Sequence, residues 1–181
     1  LVQNIKHTNG TTAQTIDSTG RITEPNKPAW SVYFKNDGTN GSDGSGGDGV
    51  GTGSGGGTTI LWNRKSVDTG NSYDTSTGHY TVPVSGVYFV SLKALGVNDT
   101  GATVRHTNLQ LQKSTDSGTN FSGIDVFYAQ AHDSSAYPNP SATTIHSFNA
   151  GDILRIQSMA DYIYIEANDN PYSRWSGFLI G

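Results

Sequence analysis

The chain has 181 residues, a mass of 19.2 kDa, no cysteine and a formal net charge of −4. That length suits one domain with a short appendage, and a compact domain of ~150 residues buries roughly 70% of its unfolded surface, so no disulfide staple is required. The thin spread of Lys and Arg leaves no basic stripe for nucleic acid or anionic lipid, and no apolar run approaches the ~20 residues that span a bilayer.

The lack of Cys fits assembly in a reducing compartment and fits poorly with a small secreted scaffold. No signal peptide opens the chain, and a start at Leu1 rather than Met leads to the expectation of a processed, cut or internal polypeptide. Residues 1–26 carry single apolar side chains (Ile5, Ile16, Ile22) among Thr, Asn and Gly, with turn signals at Asn9-Gly10 and Ser18-Thr19-Gly20. Such a segment is too thin for its own core, and it reads as an extended β arm or neck ahead of a head domain over 27–181.

Pro28 to Phe34 opens the head as its first strand. Residues 38–57 are almost all Gly, Ser, Thr, Asp and Asn and predict a surface loop insertion. Asp37, Asp43 and Asp48 raise calcium as the single cofactor to weigh, but their spacing matches neither a helix-flanked calcium loop nor the Gly-Gly-x-Gly-x-Asp repeat. The plain loop is preferred, with no cofactor.

Thr59 to Trp62 predicts a strand, and Ser66 to Asn71 leads into Tyr73 to Thr81, where Gly78 relieves a tight turn and Tyr80 enters the core. Pro83-Val84-Ser85-Gly86 is a corner, because proline cannot donate to a ladder and glycine tolerates unusual backbone angles. After it, Tyr88, Val90, Leu92 and Ala94 share one face and Val87 and Phe89 the other, so this strand is expected to be covered on both sides, by a second sheet and by a further element such as another subunit.

Arg105 to Lys113 alternates, with Leu109 and Leu111 inward and His106, Asn108, Gln110 and Gln112 outward. Ser114 to Asn120 is a turn. The next strand places Ile124, Val126 and Tyr128 on one face and Phe127 and Ala129 on the other. A loop over 132–140, a Thr-rich strand from Ser141 to Phe148, a tight turn at Asn149 to Asp152, and strands over 153–157, 162–165 and 172–180 complete the chain. Short strands at regular spacing without helical periodicity predict an all-β, two-sheet antiparallel jelly-roll sandwich.

The corner strand Gly86-Val87-Tyr88-Phe89, the downstream Gly151-Asp152-Ile153-Leu154-Arg155-Ile156 and the terminal Ser173 to Ile180 resemble the globular head of complement component 1q and the tumour necrosis factor superfamily. The resemblance covers residues 27–181 and implies a trimer packed through aromatic and aliphatic side chains near its axis. The candidates for that interface are Tyr88, Phe89, Tyr128, Tyr162, Tyr164, Trp175 and Phe178. Vertebrate heads of this kind often carry Cys before the corner proline, where this chain has Val82. The arm is also similar to linkers ahead of such heads in bacteriophage structural proteins.

Catalytic signals are weak. His132-Asp133-Ser134-Ser135 holds triad residue types, but adjacent residues cannot fold onto one another at triad geometry. His7, His79, His106, His132 and His146 show no metal-ligand spacing, the Gly-rich loop lacks a phosphate-binding ending, and Asp161 and Glu166 are the nearest approach to paired carboxylates. The expectation is therefore a non-enzyme and a homotrimer: a bacteriophage virion knob on a capsid fibre, decoration or tail-fibre tip. The arm would contact other virion proteins and the head a host surface glycan or protein, with no nucleic acid and no membrane insertion. The alternative is a secreted complement-head-like recognition or carbohydrate-binding module, in which Asn9, Asn98 and Asn120 would be glycan acceptors.

Overall fold

The computed structural model describes residues 3–33, 57, 59–96, 105–131, 138–159 and 172–181. At the N-terminus, β1 (Asn4–Lys6), β2 (Thr12–Ile16) and β3 (Ile22–Thr23) form a three-stranded antiparallel sheet. Its second turn is tied by Asp17, whose carboxylate accepts from the backbone of Thr19 and Arg21 and from both their side chains. Ile5 and Ile22 remain exposed, so local turns rather than a buried core hold this arm. It meets the head where Lys27 Nζ donates to the carbonyl of Ile180 at 3.3 Å.

The head contains β4 (Ala29–Tyr33), β5 (Arg64–Asp68), β6 (Tyr73–Asp74), β7 (His79–Thr81), β8 (Gly86–Lys93), β9 (Arg105–Ser114), β10 (Ser122–Ala131), β11 (Ser141–Phe148), β12 (Ile153–Ser158) and β13 (Arg174–Leu179). They form two five-stranded antiparallel sheets, a front sheet ordered β11-β8-β13-β4-β5 and a back sheet ordered β10-β9-β12-β7-β6. The chain crosses between the sheets after β5, β7, β8, β10, β11 and β12, while β4–β5, β6–β7 and β9–β10 pair within a sheet, which gives the jelly-roll sandwich. Among the described residues no helix is long and apolar enough to cross a membrane.

Inward side chains from both sheets fill the core: Trp30 and Val32 on β4, Tyr88, Val90 and Leu92 on β8, and Trp175 on β13 face Leu109, Leu111, Leu154 and Ile156 of the back sheet. Trp30 stacks on Tyr80 with ring centroids 3.9 Å apart and meets Trp175 edge-on at 5.6 Å. That stacking is open to Trp30 because its partner across the ladder is Gly177, where a side chain would run into the indole. At the expected tight turn, Gly78 has φ +74° and its N–H donates to Asp74 O; a Cβ there would sit 2.6 Å from the carbonyl oxygen of Ile60.

Two expectations change. The segment from Thr59 to Trp62 is not a ladder strand: Thr59 makes one isolated bridge to Gln157, and the segment is held by the buried side chains of Ile60 and Trp62. On β10 the register shifts between Gly123 and Asp125, so a bulge turns Ile124 toward the core, away from the outward Val126 and Tyr128 with which alternation grouped it. The predicted strand over 162–165, most of the Gly-rich loop over 38–57 and residues 132–137 lie outside the described residues.

Candidate assembly surface

The outer side of the front sheet is where strand alternation leaves apolar groups with no second layer among the described residues. Ladder register aligns Ile145 on β11 with Phe89 on β8, Phe89 with Phe178 on β13, and Phe178 with Ala29 on β4. Phe89 and Phe178 touch, with ring centroids 5.2 Å apart. Ile145 is 60% exposed and Phe178 46%, and Val87 and Ile180 add exposed aliphatic area beside them. One row further along, Thr143, Ser91, Ser176 and Ser31 align, with Ser31 and Ser176 hydroxyls 2.9 Å apart. The row beyond is basic: Lys93 and Arg174 are register partners, and Arg174 Nη1 donates to the hydroxyls of Ser31 and Ser66 while its guanidinium lies over Tyr33.

The predicted interface residues divide according to which side of a strand they occupy. Phe89 and Phe178 stand on this outer face. Tyr88 and Trp175 do not: both are 0% exposed inside the single chain, so no surface remains on them for a neighbour. They are core because they fall on the same side of β8 and β13 as Leu92, Val90 and Gly177. Tyr88 also donates its hydroxyl to Val84 O, closing the corner from within. Tyr128 is 55% exposed on β10, the edge strand of the back sheet that runs beside β11. Tyr162 and Tyr164 lie outside the described residues. Ile145 was missed by sequence reasoning because it stands alone in a Thr-rich strand, and only its register against Phe89 makes it part of a row.

The C1q domain profile matches residues 51–180, which is most of the chain. The chain belongs to the C1q domain family. The globular domain of zebrafish complement 1qA protein is similar in fold, with a TM-score of 0.56 at 20% identity over 86% of this chain and 98% of that one. No curated protein sequence matches the chain. As a C1q domain it is a non-catalytic, recognition-type module.

The remaining polar features of this C1q domain agree with such a role. A cleft of about 530 Å³ is lined by Lys65, Asn71, Asp74, Thr75, Thr81 and Pro83 among others. Its cation is already satisfied, since Lys65 Nζ donates to Asp68 Oδ2 at 2.7 Å, Asn71 Oδ1 at 2.7 Å and Tyr73 O at 3.1 Å. The histidines whose side chains are described do not converge: His7 is on the arm, His79 packs on Phe121 and His146 lies 3.4 Å from Asp125, whereas His132 and the side chain of His106 are outside the described part of the structure. Among the described residues no three His, Cys, Asp or Glu side chains are grouped to hold a metal ion. The calcium candidates Asp37, Asp43 and Asp48, the His132 loop and the Asp161 and Glu166 pair also fall outside the described residues.

Proposed function

We propose that the chain is the recognition head of a homotrimer, assembled when copies cover the outer face of each other's front sheet. The observation that carries this reading is the row Ile145, Phe89, Phe178 and Ala29, aligned on the outward side of a sheet whose other side is already a complete core. A contiguous apolar row of that kind marks an interaction surface rather than ordinary solvent-facing sheet. A second apolar patch, Val126 and Tyr128, lies at the neighbouring edge of the sandwich. Two unlike patches on one chain favour a head-to-tail contact, edge against face, which closes into a ring. Closure at three copies is supported by the likeness to the complement 1q and tumour necrosis factor heads.

The family match supports a module that binds a protein or a surface glycan through loops and faces left outside the seam. It supports that broader reading more than the narrower one of a bacteriophage capsid-fibre, decoration or tail-fibre knob, whose support is confined to the arm's sequence and the missing cysteine. Sedimentation equilibrium of the full chain at micromolar concentration is expected to return the mass of three chains. A folded, stable single chain under those conditions would overturn the proposal.

A further inference from the structure

Arg155 stands on the outer face of the back sheet, between the inward Leu154 and Ile156. Its guanidinium carbon lies 3.7 Å from the centroid of the Phe121 ring, which the β9–β10 turn folds back over it. Nε donates to Gln112 Oε1 at 2.8 Å and Nη1 to Thr59 Oγ1 at 3.1 Å. Arg21, Lys27, Lys65 and Lys113 each sit beside a carboxylate. Arg155 has only neutral partners among the described residues. Burial pulls its guanidinium below the usual value, and His79 next to it is likewise lowered, by burial first and then by the charge of Arg155.

The charge also sets the direction of every hydrogen bond around it. A guanidinium only donates, so Gln112, itself just 6% exposed, must turn Oε1 toward Arg155 and its amino group away. That amino group donates to Gln110 Oε1 at 2.7 Å and to Gln157 Oε1, and Gln157 passes its own amino group to Gly57 O. Gln110 lies over Gly123, which has no Cβ to displace it, and its amino group has no acceptor among the described residues. Nη2 of Arg155 is in the same condition. Among the described residues the N–H groups of this network that lack an acceptor are therefore the Gln110 amide and Nη2 of Arg155, beside one positive charge, while each glutamine oxygen keeps a second lone pair.

We propose that this face binds the carboxylate of an acidic saccharide, with the Nη edge of Arg155 as its anchor and the glutamine amides and Thr59 hydroxyl as partners for sugar hydroxyls. A planar guanidinium matches a carboxylate with two parallel hydrogen bonds. Side-chain amides and a hydroxyl, with no apolar pocket among the described residues beside them, suit a polyhydroxylated ligand better than a peptide side chain. The inference names a ligand for the recognition module proposed above, but it concerns the other sheet and does not need the trimer.

Calorimetric titration of the full chain with an oligogalacturonate tests it, with the methyl-esterified oligosaccharide, sodium acetate and a Glu-rich peptide as separate arms. Binding is expected for the free acid, at one site per chain whatever mass sedimentation gives for the same sample. Arg155→Gln is expected to weaken it about 30-fold, the scale of a charge-assisted pair. Gln110→Ala, which touches no core residue, is expected to weaken it several-fold with an unchanged circular dichroism spectrum. No heat from the free acid at millimolar concentration, equal binding by the ester, equal affinity for acetate or for the Glu-rich peptide, or a folded Arg155→Gln protein with wild-type affinity would each overturn the proposal.

Discussion

Phe178→Ala separates packing within a subunit from packing between subunits. Phe178 is 46% exposed, so of the ~200 Å² that an aromatic side chain carries, roughly 90 Å² faces outward. At ~25 cal/mol per Å², covering that area by a second copy contributes about 2 kcal/mol per chain, or about 7 kcal/mol over three chains. That corresponds to about five powers of ten in the trimer association constant. Inside one chain the truncation removes a ring contact with Phe89, which costs about 1 kcal/mol and leaves the core intact. The assay is sedimentation equilibrium over a concentration series, with circular dichroism on the same samples to confirm the fold. Wild type should be trimeric where Phe178→Ala is largely dissociated, and the melting temperature of wild type should rise with concentration. An association constant changed by less than tenfold, in a protein that still folds, would refute the assignment of this face.

Gly177→Ala should destabilise the single chain by about 1–3 kcal/mol in chemical denaturation, because the new methyl group would meet the Trp30 ring and the Phe89 carbonyl; a change below about 0.5 kcal/mol would mean that the missing side chain at Gly177 is not what makes room for the Trp30 and Tyr80 stack. Asp116 is held down to about 2 by the backbone N–H of Asn120, then by the Ser114 hydroxyl and the Asn120 side-chain amide. Since its folded value lies below the unfolded value of ~3.9, its contribution is complete above that value and is lost as pH falls toward 2. Titration followed by NMR should therefore show the β9–β10 turn, and with it Phe121 over Arg155, loosening between about pH 4 and 2, a window that Asp116→Asn abolishes. Burial raises the phenols of Tyr73, Tyr80 and Tyr88, so these three of the nine tyrosines should ionise after the exposed ones in an alkaline titration. Ionisation of all nine in one step, with strand content retained in circular dichroism, would contradict that burial.

Much of the sandwich was legible in the amino-acid order, because side chains in a strand alternate and turns need particular residues. Leu109 and Leu111 inward with Gln110 and Gln112 outward, the Pro83 to Gly86 corner, and Gly78 with its positive φ all follow from local rules. The same period of two marks Tyr88 and Phe89 as opposite in direction, yet it does not say which direction is core. That choice is made by the sheet opposite: Leu109, Leu111, Leu154 and Ile156 cover Tyr88 and Trp175, and leave Phe89 and Phe178 outside. The bulge at Ile124 breaks the period itself, so no count along the chain could place that side chain. Ile145 joins Phe89, and Arg155 joins Phe121, Gln112 and Thr59, only through ladder register and a turn that folds back over the sheet. Direction along a strand is a local property of the backbone, whereas which residues share a surface depends on pairings between strands far apart in the chain, and only the folded sandwich decides those.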